Sequence, residues 1–211
     1  MVAAVAAGAL CCGLVLAVAT GQVVALVAPV LVLIVAVLAR LVGWRVGMAL
    51  GLLGSMVAEA CYLRVTPVLG VDVGWADLAL WAVAGASCVV ALVRWGVPGL
   101  SRPQIESLGF ALVVPVLGLA AYAVKVISSG GSWIGWAMNN DVAFKSLMVR
   151  WTFEDHGLTA ARGYSDPLTS GLLAAWSGSA SHSSDLGHTM RVIVHSGAQI
   201  WILLWLTVSL A

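Results

Sequence analysis

The stretch that decides the fold is residues 23–39, VVALVAPVLVLIVAVLA, which contains no charged side chain. A helix needs about 20 mostly apolar residues to cross a bilayer. Thr20-Gly21-Gln22 is the only plausible turn between this stretch and the apolar residues before it, which predicts a tight helical hairpin. Further apolar stretches of similar length lie at residues 1–19, 46–63, 76–93, 107–127 and 190–211. The sequence therefore predicts an all-α, polytopic transmembrane helix bundle of about six spans.

The composition agrees with a bilayer as the main partner of this chain. Of its 211 residues, 62% are hydrophobic and only 9% are charged, and the mean hydropathy is +1.05. These values lie far outside the range of soluble domains, which need a polar surface. The formal net charge of +1, without any run of Lys or Arg, argues against a nucleic-acid partner.

Short loops with excess Lys and Arg face the cytoplasm, and this rule predicts the orientation. Arg40 and Arg45 flank one such loop, and Arg94 and Arg102 lie in another. The loop at residues 64–75 is then exterior. Both chain ends are predicted to be cytoplasmic, in a multi-pass protein of the cytoplasmic membrane.

The chain is accordingly divided into a five-span region at residues 1–127, an exterior (periplasmic-side) loop at 128–189 and a sixth span at 190–211. The sixth span ends at Ala211 without a polar flank, which predicts that the chain is truncated. The loop contains five of the nine acidic residues and three of the four histidines. A solvated loop is polar for ordinary reasons, but its patterning favours a site.

Two short amphipathic helices are predicted within the loop, near residues 140–156 and 167–177, where they can lie in the membrane interface. In the first helix, apolar residues recur at the helical spacing i, i+3, i+4 and i+7. This apolar stripe is Phe144, Leu147, Met148 and Trp151, and a neighbouring stripe carries Asp141, Lys145 and Thr152.

Asn139-Asn140-Asp141 opens the first of these helices and has two interpretations. An amide at the N-cap and an acid in the first turn are good helix-start residues in themselves. Alternatively, Asp141 is a general base for a sugar hydroxyl, and Lys145 or Arg150 holds a lipid-linked phosphate. At the other end of the helix, Asp155 and His156 precede Gly157, a suitable C-cap, and an acid there opposes the helix dipole, which favours function.

Two further groups are weaker candidates. His182, Asp185 and His188 are spaced by three, which permits a divalent metal but equally suits a flexible polar loop. In the last span, one helix face is polar, and polar groups inside a membrane usually face a cavity or a partner. That row is Arg191, His195 and Gln199, and Glu59 either joins it or pairs with Arg64.

The segment WAMNNDVAFK at residues 136–145, followed by Arg150, Asp155-His156-Gly157 and Asp166-Pro167-Leu168, resembles the first large exterior loop of actinobacterial polytopic proteins related to GT-C glycosyltransferases. These relatives use polyprenyl-phosphate sugars. The resemblance implies a membrane glycosyltransferase with Asp141 at the catalytic position and a cell-envelope glycan as acceptor. The chain departs from the pattern at Asn140, where a second acid is frequent, and at Lys145, where a histidine is expected.

The leading hypothesis is thus an enzyme, or its N-terminal part, that transfers a sugar at the outer face of the membrane. Its candidate substrate-binding residues are Asn139, Asn140, Lys145, Arg150, Asp155, His156, Arg191 and His195. One alternative is a transporter or channel module whose polar pathway runs through Glu59, Arg191, His195 and Gln199. Another is a noncatalytic scaffold whose exterior loop binds a partner.

Overall fold

A computed structural model describes residues 2–128, 140–159 and 167–178 of the chain. The described residues form helices and contain no strand. The helices are α1 (Val2–Thr20), α2 (Val24–Val42), α3 (Trp44–Leu69), α4 (Val73–Trp95), α5 (Arg102–Ser128), α6 (Asn140–Glu154) and α7 (Pro167–Ser177). The predicted all-α class is confirmed for this part of the chain.

Three of the described helices, α2, α3 and α4, are long and apolar enough to cross a membrane. The apolar part of α1, Ala4–Thr20, is shorter. Many of their large apolar side chains, such as Val32 and Val83, lie on the outside of the bundle, where lipid tails can solvate them. The structure thus supports a membrane helix bundle with three clear spans, and a total of six stays a prediction.

The predicted hairpin between α1 and α2 is confirmed. Gly21 has a φ of 69°, a conformation that glycine adopts without steric cost, and it reverses the chain within three residues. The Thr20 hydroxyl donates to the Leu16 carbonyl at 2.7 Å and accepts from the Gln22 amide at 3.2 Å. These bonds satisfy backbone groups that the end of α1 would otherwise leave open.

Glycines set the distances between the spans. A Cβ on Gly51 would lie 2.7 Å from Val35 of α2, and one on Gly85 would lie 2.5 Å from Leu10 and 2.8 Å from Val30. Small residues let membrane helices approach closely, and van der Waals packing then replaces the hydrophobic effect as the force between them. The helices α1 to α4 therefore form one closely packed body.

The third span is longer than the sequence predicts. Residues 64–69, which were expected to lie in a loop, continue α3 to Leu69. Gly70 then ends the helix in the left-handed conformation, and its amide bonds to the Thr66 carbonyl at 3.1 Å. Asp72 begins α4 as its N-cap and accepts the Trp75 amide at 3.0 Å.

The sequence predicted helices near 140–156 and 167–177, and the structure has α6 at Asn140–Glu154 and α7 at Pro167–Ser177. The predicted apolar stripe of α6 is wrong in part. Leu147 is exposed, whereas Met148, Val149 and Thr152 are fully buried. Thr152 was assigned to the polar stripe, but its hydroxyl donates to the Met148 carbonyl at 3.0 Å and is therefore satisfied inside the protein.

Candidate functional site

The segment that follows α6 is attached to the C-terminal part of α3 by backbone hydrogen bonds. The Leu158 amide donates to the Leu63 carbonyl at 2.8 Å. That carbonyl lacks a helical N–H donor because the residue four positions later is Pro67, and it also accepts the Thr66 hydroxyl at 3.1 Å. The Arg64 guanidinium donates in turn to the Leu158 carbonyl at 3.4 Å. A proline in α3 thus creates the attachment point of α6.

Gly157 allows this close approach. Its φ is 144°, and a Cβ at this position would collide with the Thr66 hydroxyl and the Leu63 carbonyl. His156 precedes it in the left-handed conformation with a φ of 57°. The first left-handed residue after α6 is therefore His156, two positions beyond Glu154, and Gly157 serves the contact with α3 as well as the C-terminal turn.

The second helix of the segment, α7, is buried against the same end of the bundle. Residues 171–178 are all buried. Gly171 lies against Leu63 and Leu158, and Gly178 lies against the α1–α2 turn at Gly21 and Val23. The end of α3, the start of α4 and the α1–α2 turn therefore all lie beneath α6 and α7. We call this covering unit, residues 140–159 and 167–178, the cap.

Beneath the cap lies the most unusual chemistry in the described structure, a pair of buried carboxyl groups. Glu59 on α3 is 1% exposed and Asp77 on α4 is 0% exposed. The two side chains interact with one another. Burying an ionised carboxylate without a partner costs several kcal/mol in a protein. We call Glu59 and Asp77 the acid pair.

Two tryptophans enclose the acid pair. The Trp176 indole Nε1–H of α7 donates to Glu59 Oε2 at 2.6 Å, and the Trp176 side chain is 0% exposed. Trp81 lies one helical turn after Asp77, on the same face of α4. Its ring meets that of Trp176 edge to face, with the ring centres 6.4 Å apart. The acid pair is therefore sealed by aromatic rings on two sides.

Three carboxylate oxygens of the acid pair have no hydrogen-bond donor. They are Glu59 Oε1 and both oxygens of Asp77, and the Trp81 indole Nε1 is likewise buried without a hydrogen bond of normal length. A buried polar atom without a partner usually marks a strained, catalytic or ligand-binding position. Tyr62 on α3, which is half-buried, also interacts electrostatically with both members of the pair.

The residues predicted from the sequence as the catalytic site lie elsewhere, along α6. Asn140 and Asp141 are its first two residues, and Lys145 lies one turn later. Arg150 is exposed and pairs with Glu154 at 2.9 Å, an i, i+4 surface pair. Asp155 is half-buried and accepts the Thr159 hydroxyl at 3.2 Å, and His156 is exposed.

Helix length separates these candidates into two groups. From Asp141 to Asp155 is 14 residues, about 21 Å along the axis at 1.5 Å per residue. Asn140, Asp141 and Lys145 can therefore share one site at the start of α6, whereas Asp155 and His156 lie at its other end, beside α3. The remaining predicted site residues fall outside the described ranges, and they are Asn139, His182, Asp185, His188, Arg191 and His195.

Of the two alternatives for Glu59, pairing with Arg64 is wrong, and the row of Arg191, His195 and Gln199 lies outside the described residues. Arg64 bonds to the Leu158 carbonyl instead, and Glu59 bonds to Trp176. In the part of the chain that the structure describes, no group of three or more metal-ligating side chains occurs. The predicted metal candidates are outside that part.

Asp77 was missed by the sequence analysis, although a signal was available. It lies within the apolar stretch at 76–93, and an acid inside a membrane span is a functional candidate by default. Its closeness to the start of that stretch made it resemble an interfacial residue. In the structure it is fully buried and interacts with Glu59 of the neighbouring helix α3.

Comparison with known proteins gives no relative on which a family assignment could rest. No protein-family model matches the chain, and neither a curated protein nor a solved structure matches it significantly.

Proposed function

We propose that the chain is a membrane glycosyltransferase, or the N-terminal part of one, of the kind that uses polyprenyl-phosphate sugars. The observation that carries the proposal is the start of α6 at Asn140, which puts Asp141 in the first turn of a helix. That helix is part of the cap, which is attached to one end of the membrane bundle through the bond between Leu158 and Leu63. A carboxylate at a helix N-terminus stays ionised, as a proton acceptor must.

In this proposal, Asp141 removes the proton from an acceptor hydroxyl while the sugar leaves its phosphate carrier. Lys145 follows Asp141 at the i+4 spacing, so both residues fall on one helix face, and a cation there can bind the departing phosphate. Asn139 and Asn140 supply amides for sugar hydroxyls. Arg191 and His195, in the last predicted span, are further candidate substrate-binding residues.

The proposal also requires more spans than the three that the structure supports, and a defined orientation in the membrane. Six spans with both ends in the cytoplasm would put the cap on the outer face of the cytoplasmic membrane. The cap and the turn at Gly70 then lie outside, and Arg40 and Arg45 lie inside, at the opposite ends of α2 and α3. A lipid-linked donor and a cell-envelope glycan would both be accessible at the outer face.

The decisive experiment replaces Asp141 with Asn. An amide has the same size as the acid and costs only the interaction of the charge with the helix dipole, up to about 1 kcal/mol, so the helix start is kept. Membranes that contain the full protein are supplied with a radiolabelled polyprenyl-phosphate sugar, and label transferred to glycan is measured. We expect D141N to lower transfer by at least about 100-fold, the usual contribution of a general base.

Asp72→Asn is the matched control. Asp72 is also an acid at a helix start, and its capping bond to the Trp75 amide is well defined. D72N should leave transfer unchanged. If D141N and D72N behave alike, Asp141 is a helix-start residue and the chain is better described as a scaffold. If flux of a solute depends on Glu59 instead, the transport alternative replaces the proposal.

A further inference from the structure

The acid pair has no role in the proposed transfer reaction, yet its burial demands an explanation. Two ionised carboxylates in contact inside an apolar bundle repel one another and both lack solvation. Among the side chains that the structure describes, none forms an ion pair with either carboxyl group. On the helices packed around the pair, α7 contains no charged residue, Arg40 of α2 lies in the last turn of that helix, away from the cap, and Arg64 of α3 is exposed and bonds to the Leu158 carbonyl.

The surroundings of the acid pair are apolar. Leu63, Val73, Trp81 and Trp176 belong to one cluster of buried hydrophobic residues that includes side chains from α2, α3, α4, α6 and α7. Arg150 and Glu154 of α6 are directed outward and pair with each other. Water is excluded from one side by Trp176, which is fully buried itself. The pair therefore needs a small positive ligand.

We propose that Glu59 and Asp77 form a proton-binding site inside the bundle, and that Trp176 of the cap is its lid. One proton shared between the two carboxyl groups supplies a donor for an oxygen that otherwise has none. It also removes the repulsion between two like charges, as in other carboxyl pairs that share a proton. The Trp176 indole then stabilises the remaining charge on Glu59 through its bond at 2.6 Å.

The donor set favours a proton over a metal ion. A hard cation such as Ca²⁺ takes six to eight oxygen ligands. The acid pair offers three oxygens without partners, and the indole N–H groups of Trp176 and Trp81 beside it donate and cannot ligate a metal. A proton needs only two oxygens and fits beside these donors.

The lid connects the proton to the cap. Trp176 is the only side chain of α7 that donates a hydrogen bond to the acid pair among the described residues. Loss of the shared proton would put two charges beneath the fully buried Trp176 ring, and water would have to enter to solvate them. The state of the pair therefore controls how firmly α7 is held. This inference does not depend on glycan transfer.

Infrared spectroscopy of the full protein in lipid nanodiscs tests the proposal, because a protonated carboxyl group has a carbonyl stretch separate from that of a carboxylate. We expect such a band at neutral pH, with a shift in D₂O. The double variant Glu59→Gln, Asp77→Asn should lose it. Its matched control is the double variant Asp72→Asn, Glu106→Gln. It changes two exposed acids, the N-cap residue of α4 and the partner of Arg102.

The outcomes separate clearly. A missing band in the unmodified protein, or one that persists in the double variant, overturns the proposal. A spectrum that responds to sodium and not to protons also overturns it, in favour of an alkali-cation site. Trp176→Phe gives an independent test that keeps both carboxyl groups. It removes the donor to Glu59, so the band should move, and an unmoved band overturns the assignment of Trp176 as the lid.

Discussion

Two aspartates at the start of α4, one at its N-cap and one in the turn that follows, differ completely in burial and hydrogen bonding. Asp72 is exposed and caps the helix through the Trp75 amide. Asp77, five residues later, is fully buried, and neither of its oxygens has a hydrogen-bond donor. The local sequence around both is similarly apolar. Asp77 interacts with Glu59 on the neighbouring helix α3, whereas Asp72 bonds within the start of its own helix, so packing between helices and not the local sequence decides which aspartate is buried.

The largest effect on stability should come from removing Trp176, the cap side chain that bonds to the acid pair. Trp176→Ala deletes a fully buried tryptophan that touches the acid pair. Large-to-small changes of buried aromatic residues cost about 3–5 kcal/mol. We therefore expect a strong fall in the thermal midpoint in detergent and a loss of protection from proteolysis in the cap.

Trp75→Ala is the control for this change. Trp75 lies on the same end of α4 but is 70% exposed. Surface substitutions usually change stability by no more than about 0.5 kcal/mol. If W75A and W176A lower the thermal midpoint equally, Trp176 does not stabilise the protein through its burial, as the structure indicates that it does.

A smaller effect is expected at the attachment point of the cap. Gly157→Ala puts a Cβ against the Thr66 hydroxyl and the Leu63 carbonyl, at a φ of 144° that alanine adopts only with strain. Strained backbone of this kind costs about 1–3 kcal/mol. Hydrogen exchange at the Leu158 amide, which bonds to Leu63, should accelerate.

Gly54→Ala serves as the comparison for G157A. Gly54 is helical, and a Cβ there meets nothing within 4 Å. Alanine is favoured over glycine in helices by up to about 1 kcal/mol. G54A should therefore be neutral or stabilising. If the amide hydrogens of the cap exchange equally fast in G157A and G54A, Gly157 is not needed to hold the cap against α3.

The sequence predicted those parts of the molecule that depend on local rules. Apolar length identified α2 and α4, and the turn at Thr20-Gly21-Gln22 followed from the lack of any other break. Pro167 begins α7, as expected of proline in a first turn. In each case, residues within a few positions of one another settle the conformation.

The parts that could not be predicted depend on contacts between distant residues. Glu59 and Trp176 are 117 positions apart, and Arg64 is 94 positions from the carbonyl to which it bonds. The sequence offered Arg64 as a nearby partner for Glu59, a reasonable choice at i+5. Neither the open Leu63 carbonyl nor its use by Leu158 can be inferred without knowing that the cap lies there.

The smallest effect on stability should come from Arg150, whose side chain points away from the cap's buried face. Arg150→Ala removes an exposed i, i+4 pair with Glu154, and such pairs contribute no more than about 0.5 kcal/mol.

The effect of Arg150→Ala on activity shows whether Arg150 only pairs with Glu154 or also binds the donor phosphate. If Arg150 also binds the donor phosphate, R150A should raise KM for the polyprenyl-phosphate sugar with kcat nearly unchanged, because it removes binding common to the ground and transition states. Arg102→Ala breaks an equivalent exposed pair with Glu106 on α5 and should change neither. A KM unchanged by R150A would restrict the phosphate site to the start of α6, with Lys145, about 8 Å nearer to Asn140 along the helix.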